Sequence, residues 1–366
     1  MPAAETNPFL ALPVHFWTAV YFVFGCIVGS FLNVCIHRMP LGESVVSPPS
    51  HCPHCRYSIP WFLNIPIVTW LWLRGRCANC RAPISPRYLG VELLTGLLFA
   101  GCWLAAGPRA PAAAVAWCVL VAGLIAATFI DFEHFIIPDE ITIGGVVVGF
   151  LLSAAVPAMH GAERAARGME QSALGIAVGG GLVYAVLRAG KLFFGRHRVK
   201  LEAETKVIFT ETGLHLPAEV LPYEDIFYRG SDTVRFHAQT LEMVDRCYAD
   251  VEVRLSQEKL RIGEDTFAPE DVLHLEAVTG ELVLPREAMG LGDVKFMAAI
   301  GAFLGAKAVL FSLLASSMIG AVVGLTLIAL KKQEWSSRLP YGPYIALAAV
   351  IWIFRGRQFT AWMLGE

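Results

Sequence analysis

From Phe16 to Ile36 the chain runs without a charged residue, and the same is true of 111–130 and 141–159. Hydrocarbon offers no partner for a backbone N–H or C=O, so only a helix or a closed barrel can carry such runs across a bilayer. A spanning helix needs about 20 predominantly apolar residues, and these runs have that length. Further runs at 91–107, 173–194, 294–308, 309–330 and 341–355 bring the expected number of spans to about eight. Residues 294–330 are nearly continuous, and "GAKA" (Gly305–Ala308) is the expected point of reversal. The first run has no basic leader segment and no small-residue cleavage site, so it reads as a retained helix rather than a signal peptide. Charged residues make up 16% of the chain and its mean hydropathy is +0.55. Soluble domains carry about 25% charge, so a single large soluble core is excluded.

The net charge of −2 conceals a partition. Residues 201–285 hold 18 acids and seven bases, while the remainder holds 13 acids and 22 bases. An acidic hydrophilic segment interrupts a basic membrane protein. Within it, "DVEVRL" (250–255) alternates with period two, and "KVIF", "KLRIG", "VLHLEAV" and "ELVLP" have strand composition. "TETG", "RGSD" and "VTGE" read as turns, and Thr240–Ala249 as one short helix. The loop from His37 to Gly90 carries six arginines against Glu43, which places it in the cytoplasm. Alternation then puts the N-terminus outside, and the 131–140 loop, the 195–293 segment and Lys331–Lys332 inside. Arg355 and Arg357 run against this scheme, and the first long loop outweighs them.

That loop contains "CPHC" (Cys52–Cys55) and "CANC" (Cys77–Cys80). Two CxxC pairs at this spacing match a tetrahedral zinc site formed by Cys52, Cys55, Cys77 and Cys80. Two disulfides are the alternative, and they would require an oxidising compartment. The expected site is closed and structural. His51 and His54 are spare donors read as surface residues, and Cys26, Cys35, Cys102 and Cys118 as packing residues within spans.

Acids at the edges of spans are few, and each is costly enough to suggest function. Asp293 follows Gly290-Leu291-Gly292 and opens an apolar run; Asp131 closes the third run at the same expected side and depth. Two carboxylates brought together share a proton, so that one activates water while the other polarises a carbonyl. Gly290 and Gly292 remove side chains beside Asp293, which lets an extended backbone approach. Glu92 stands at a helix start, where an acid matches the dipole; Asp139 and Glu140 follow Pro138 at another, where capping is the bland alternative for both and the preferred reading for Glu140.

"GSFLNVCIHRMP" (29–40), the paired CxxC motifs, "NIPIVTWLWLRGRC" (64–77), "APISPRYLGVELLTG" (82–96), "IDFEHFIIPDEIT" (130–142), "GLGDVKFMAAIGAFLG" (290–305) and "LPYGPYIALAA" (339–349) occur in the order found in the bacterial prepilin peptidase (type IV leader peptidase) family. The chain resembles that family over nearly its whole length. The resemblance implies a multi-pass aspartic endopeptidase of the bacterial inner membrane. It would act on type IV prepilins and on pseudopilins of type II secretion, cutting at the cytoplasmic face, with Asp131 and Asp293 at the catalytic positions. It also implies N-methylation of the new N-terminus with S-adenosylmethionine as donor. The Gly-Lys that the family associates with methylation is Gly75-Arg76 here. Nucleic acid is not an expected partner. The acidic insert departs from the family pattern, and its partner is not implied.

The fold expected is an all-α polytopic membrane protein with a cytoplasmic zinc-binding loop and an inserted small strand-rich soluble domain. Its divisions are the first helix (1–36), the cysteine loop (37–90), helices carrying the first aspartate (91–194), the insert (195–289) and helices carrying Gly-x-Gly-Asp (290–366). A presenilin-like Gly-x-Gly-Asp protease without methylation would lack the cysteine loop. An ion transporter or scaffold would use the aspartates to bind ions or protons and would leave prepilin uncut.

Overall fold

The computed structural model describes residues 12–194, 196–210, 213–217, 220–227, 232–272, 274–285, 290–330 and 339–364. Lys331–Lys332 and most of the "RGSD" turn lie outside these residues. Two compact units are present, one made of residues 1–184 and 291–366, the other of residues 185–290.

The first unit is helical. Its elements are α1 (Val14–Arg38), the short α2 (Val68–Trp72), α3 (Pro86–Ala106), α4 (Pro111–His134), α5 (Asp139–Ala155), α6 (Ala165–Phe194, which runs on into the second unit), α8 (Leu291–Ala329) and α9 (Gly342–Leu364). Among the described residues, five helices (α1, α3, α4, α6 and α8) are long and apolar enough to cross a membrane. The helix α5, with 17 residues, and the apolar Gly342–Gly356 part of α9 are shorter. Local sequence sets several boundaries. Pro86 and Pro111 occupy first turns, where a missing N–H costs nothing, and the Ser85 hydroxyl accepts the Arg87 N–H at 3.3 Å. Phe135 ends α4 in the left-handed conformation, with φ 55°.

The helix pairs approach through small residues. A Cβ added to Gly25 or Gly29 of α1 would come within 2.8 Å of the α3 backbone at Gly96 or Glu92. Gly175 of α6 and Gly301 of α8 meet backbone to backbone, so a Cβ on either would land on the other's main chain. Without a hydrophobic drive between helices in lipid, close contact of this kind supplies the packing energy. Cys26, Cys35, Cys102 and Cys118 are all buried among the helices.

Within α8, Gly305 has φ 79° and ψ 176°, which no helix contains. Before it, Gly292, Ala299 and (across from Gly149) Phe303 meet α5 and its entrance at Ile137, Gly145 and Gly149, in parallel order. After it, Phe311 packs on Trp352 and Phe359, while Gly320 and Gly324 face Tyr344 and Leu339, in antiparallel order to α9. Because α9 begins beside Asp131 and Ile137, the chain reverses at Gly305. The Ala302 carbonyl, freed by the break, accepts the Ser172 hydroxyl at 2.9 Å.

The second unit contains an antiparallel sheet of eight strands. These are β1 (Arg196–Phe209), β2 (Gly213–His215), β3 (Val220–Pro222), β4 (Val234–Met243), β5 (Cys247–Leu255), β6 (Leu260–Ile262), β7 (Asp265–Phe267) and β8 (Leu275–Pro285), with the short helix α7 (Tyr223–Ile226) between β3 and β4. Their order is β3-β2-β1-β8-β4-β5-β6-β7. Val207, Phe236, Leu241, Val253 and Leu282 lie in its core. Two local expectations fail. Thr240–Ala249 is not a helix but a hairpin, with Thr240 opposite Ala249 and Glu242 opposite Cys247. Leu, Glu and Met favour a helix there, but pairing of β4 with β8 on its other edge prevails. "VTGE" is not a turn: Val278 to Glu281 continue β8, and β1 absorbs the irregularity between Lys200 and Thr205.

Candidate active site and metal centre

The cysteine loop folds as two similar turns. In the first, Arg56 N–H donates to Cys52 O and Cys52 N–H to Tyr57 O; in the second, Arg81 N–H donates to Cys77 O and Cys77 N–H to Ala82 O. Arg56 and Arg81 have φ of 56° and 61°, which turns each chain back on itself. The four Sγ atoms of Cys52, Cys55, Cys77 and Cys80 lie within 4.8 Å of one another. The Cys52–Cys80 and Cys55–Cys77 separations are 3.8 and 4.0 Å. A tetrahedral zinc with Zn–S bonds of about 2.3 Å requires sulfurs about 3.8 Å apart, so the group fits. Backbone N–H groups of Cys80 and Asn79 pull the Cys77 thiol down to about 6 and the Tyr57 N–H lowers Cys55, while hydrogen bonds with the other three cysteines push Cys80 up to about 11; a bound cation is what would hold all four as thiolates. His51 and His54 are exposed and stand outside the cluster. Gly75 has φ 65°, and a Cβ on it would stand 2.8 Å from the Trp70 ring. Arg76 beside it is exposed.

Between the cysteine pairs the chain makes a tight turn at Ile67. Val68 N–H donates to Pro66 O at 2.6 Å, and Ile67 has φ 62° and ψ −54°. This is the positive-φ γ-turn, strained for any residue and most of all for a β-branched one. Glu92 holds it: its Oε2 accepts the Ile67 N–H at 2.7 Å. Glu92 thus has a different task from the dipole matching expected of it. It is buried on α3 and anchors the loop.

Asp131 lies in the last turn of α4 and is 5% exposed; Asp293 lies in the first turn of α8 and is 9% exposed. Asp131 Oδ2 accepts the N–H of Gly342, the first residue of α9, at 2.8 Å. A Cβ on Gly342 would lie 2.7 Å from that oxygen and 3.1 Å from Ile137 Cδ1. Ile137 also faces Gly292, at 3.6 Å from where a Cβ would be. The starts of α8 and α9 and the end of α4 therefore converge on Ile137. Asp139, with no capping hydrogen bond at the start of α5, pairs instead with Lys295 Nζ at 2.7 Å. Glu133 pairs with Arg87 at the start of α3. Gly342, Lys295 and Arg87 are contacts that the sequence reading missed. Only the Gly342-Pro343 pair at a helix start hinted at one of them.

Comparison with known proteins bears on the same segments. The sequence model described as Bacterial Peptidase A24 N-terminal domain matches residues 23–106, and that of the Type IV leader peptidase family matches 118–202 and 272–325. Together they take in more than half of the chain, and the gap between the latter two stretches falls in the sheet-forming unit. A "Prepilin leader peptidase/N-methyltransferase" of Aeromonas hydrophila is 28% identical over 96% of this chain and 95% of its own. A protein of the same description from Myxococcus xanthus is 45% identical over 39% of this chain and 43% of its own. The "Type 4 prepilin-like proteins leader peptide-processing enzyme" of Escherichia coli is 43% identical over 35% of this chain and 53% of its own. No solved structure matches. Matches to both halves of the helical unit, with relatives aligned almost end to end, establish that the chain belongs to the type IV leader peptidase family.

Proposed function

We propose that the chain is a membrane aspartic endopeptidase that removes the leader of type IV prepilins and pseudopilins at the cytoplasmic face of the bacterial inner membrane, and then N-methylates the new N-terminus. Relatives named for both activities support this reading. Eight segments cross the membrane, with α8 counted as two around Gly305 and with α5 and α9 included. The arginine-rich cysteine loop and both aspartates lie on the cytoplasmic side. Cys52, Cys55, Cys77 and Cys80 hold one structural zinc, and the insert stands apart from the chemistry.

The observation that carries the peptidase reading is the convergence of the Asp131 and Asp293 helix ends, both carboxylates buried, around Ile137. One carboxylate, ionised, takes a proton from water as the water oxygen bonds to the scissile carbonyl carbon. The other, protonated, donates to the carbonyl oxygen; the C–N bond then breaks and the leaving amine takes the proton. The Gly342 N–H fixes Asp131. The fold itself does not need glycine at 292, where a Cβ would make only ordinary contacts. Room for substrate backbone explains that glycine. Asp131→Asn and Asp293→Asn are each expected to lower cleavage of purified prepilin by roughly 10²–10⁴-fold while the protein accumulates normally in membranes. Near-normal cleavage by either variant sinks the assignment.

For the transferase, S-adenosylmethionine supplies an electrophilic methyl group when bound. The Gly75-Arg76 pair fits that donor only in part. The exposed Arg76 guanidinium suits a carboxylate, whereas the φ of Gly75 and its packing on Trp70 already account for the glycine.

A further inference from the structure

Beside α1 lies a slot of about 680 Å³ that the peptidase chemistry does not use. It follows α1 from Phe22 to Val34, about 18 Å of helix, and the segment Asn64–Val68 closes its other side. Two features show that it is built. Its wall includes Ile67, held in a strained γ-turn, and strain of this kind persists only where the surroundings enforce it. The enforcing group is the buried Glu92 carboxylate.

The polarity of the slot is graded. Phe22, Val23 and Ile27 line the end toward the middle of α1; the polar lining residues Ser30, Ser50 and Asn64 belong to the other end, beside Phe31 and Val34, and the Glu92 carboxylate, itself outside the lining, holds Ile67 in that wall. A nucleoside-based donor has hydroxyls and a charged amino-acid part along its whole length, and most of this lining offers them nothing. An acyl chain needs no polar end and no buried acid. A peptide whose charged amino terminus stays at the loop while its apolar residues run along α1 matches both ends.

We propose that the slot is the methyl-acceptor site: it seats the first apolar residues of the cleaved substrate, with the free α-amine at the Ser30–Asn64 end and Glu92 as a positioning residue. The proposal rests on the transferase reading above. It is tested with full-length protein in lipid nanodiscs, S-adenosylmethionine, and a synthetic peptide of about 20 apolar residues with a free or an acetylated amino terminus. A benzophenone amino acid at Ile27 is expected to crosslink the free-amine peptide, and the same probe at Leu104, exposed on α3, is not. Glu92→Gln keeps an oxygen for the Ile67 N–H but removes the charge. Its KM for the free-amine peptide is expected to rise about tenfold, with kcat nearly unchanged. Capture of phospholipid alone, or equal capture of free and acetylated peptide, overturns the proposal. Methylation by the wild type without crosslinking at Ile27 overturns the slot and leaves the transferase standing. Crosslinking without methylation overturns the transferase reading and the acceptor role with it.

Discussion

Gly342 has no chemistry of its own, yet a methyl group there would overlap the Asp131 carboxylate at 2.7 Å. Gly342→Ala is therefore expected to push Asp131 away from its place and to lower cleavage roughly 10–100-fold, with membrane levels unchanged; wild-type rates in a prepilin assay would refute this. Asp139→Asn breaks only a partly exposed pair with Lys295, and exposed pairs are worth about 1 kcal/mol or less. Its effect on cleavage should be far smaller. These residues differ in how readable they are. Asp131 and Asp293 stand out because an acid at the end of an apolar run is costly and so demands a reason. Gly342 is 211 positions from Asp131, and nothing local in "LPYGPY" names its partner. Glu92 was visible as an acid but not as an anchor, because the strained N–H it holds lies 25 positions earlier.

Among the elements, the cysteine loop shows how much short-range spacing can encode. Each CxxC closes its own turn, so the four sulfurs were foreseeable from residue counts alone. One zinc per chain is expected in protein purified under reducing conditions, as measured by elemental analysis. Cys77→Ser should lose that zinc and, with it, most methylation, while cleavage falls less; a zinc-free wild type or equal loss of both activities counts against this. The reversal in α8 was legible for a similar reason, since Gly305 interrupts a run too long for one span. The β4–β5 hairpin was not. Its residues prefer a helix locally, and the strand forms because β8 and β5 offer both edges a partner. The turn at Ile67 was equally hidden, since isoleucine is among the last residues that sequence reasoning assigns a positive φ.

At the scale of the whole molecule, the insert's 18 acids between 201 and 285 and its own buried core argue for a separately folding body. Replacement of 196–285 by a short Gly/Ser connector is expected to leave prepilin cleavage within about tenfold of wild type. A deletion variant present at normal membrane levels but inactive would show that the insert supplies part of the site. The residues 196–285 expressed alone should give a cooperative thermal transition. The pairing of β1 with β8 begins at Arg196 opposite Pro285, so the two ends of this segment are neighbours, about 5 Å apart. Once the insert has folded, the helices on either side experience a connection of a few residues instead of some 90. Closing the longer loop would cost about 2 kcal/mol more in chain entropy than closing one of about 10 residues. A folded sheet already holds those ends together, so the helices on either side do not bear that cost. A substitution that unzips Arg196–Lys200 from Glu281–Pro285 should therefore slow assembly of the helices without altering any residue they contain.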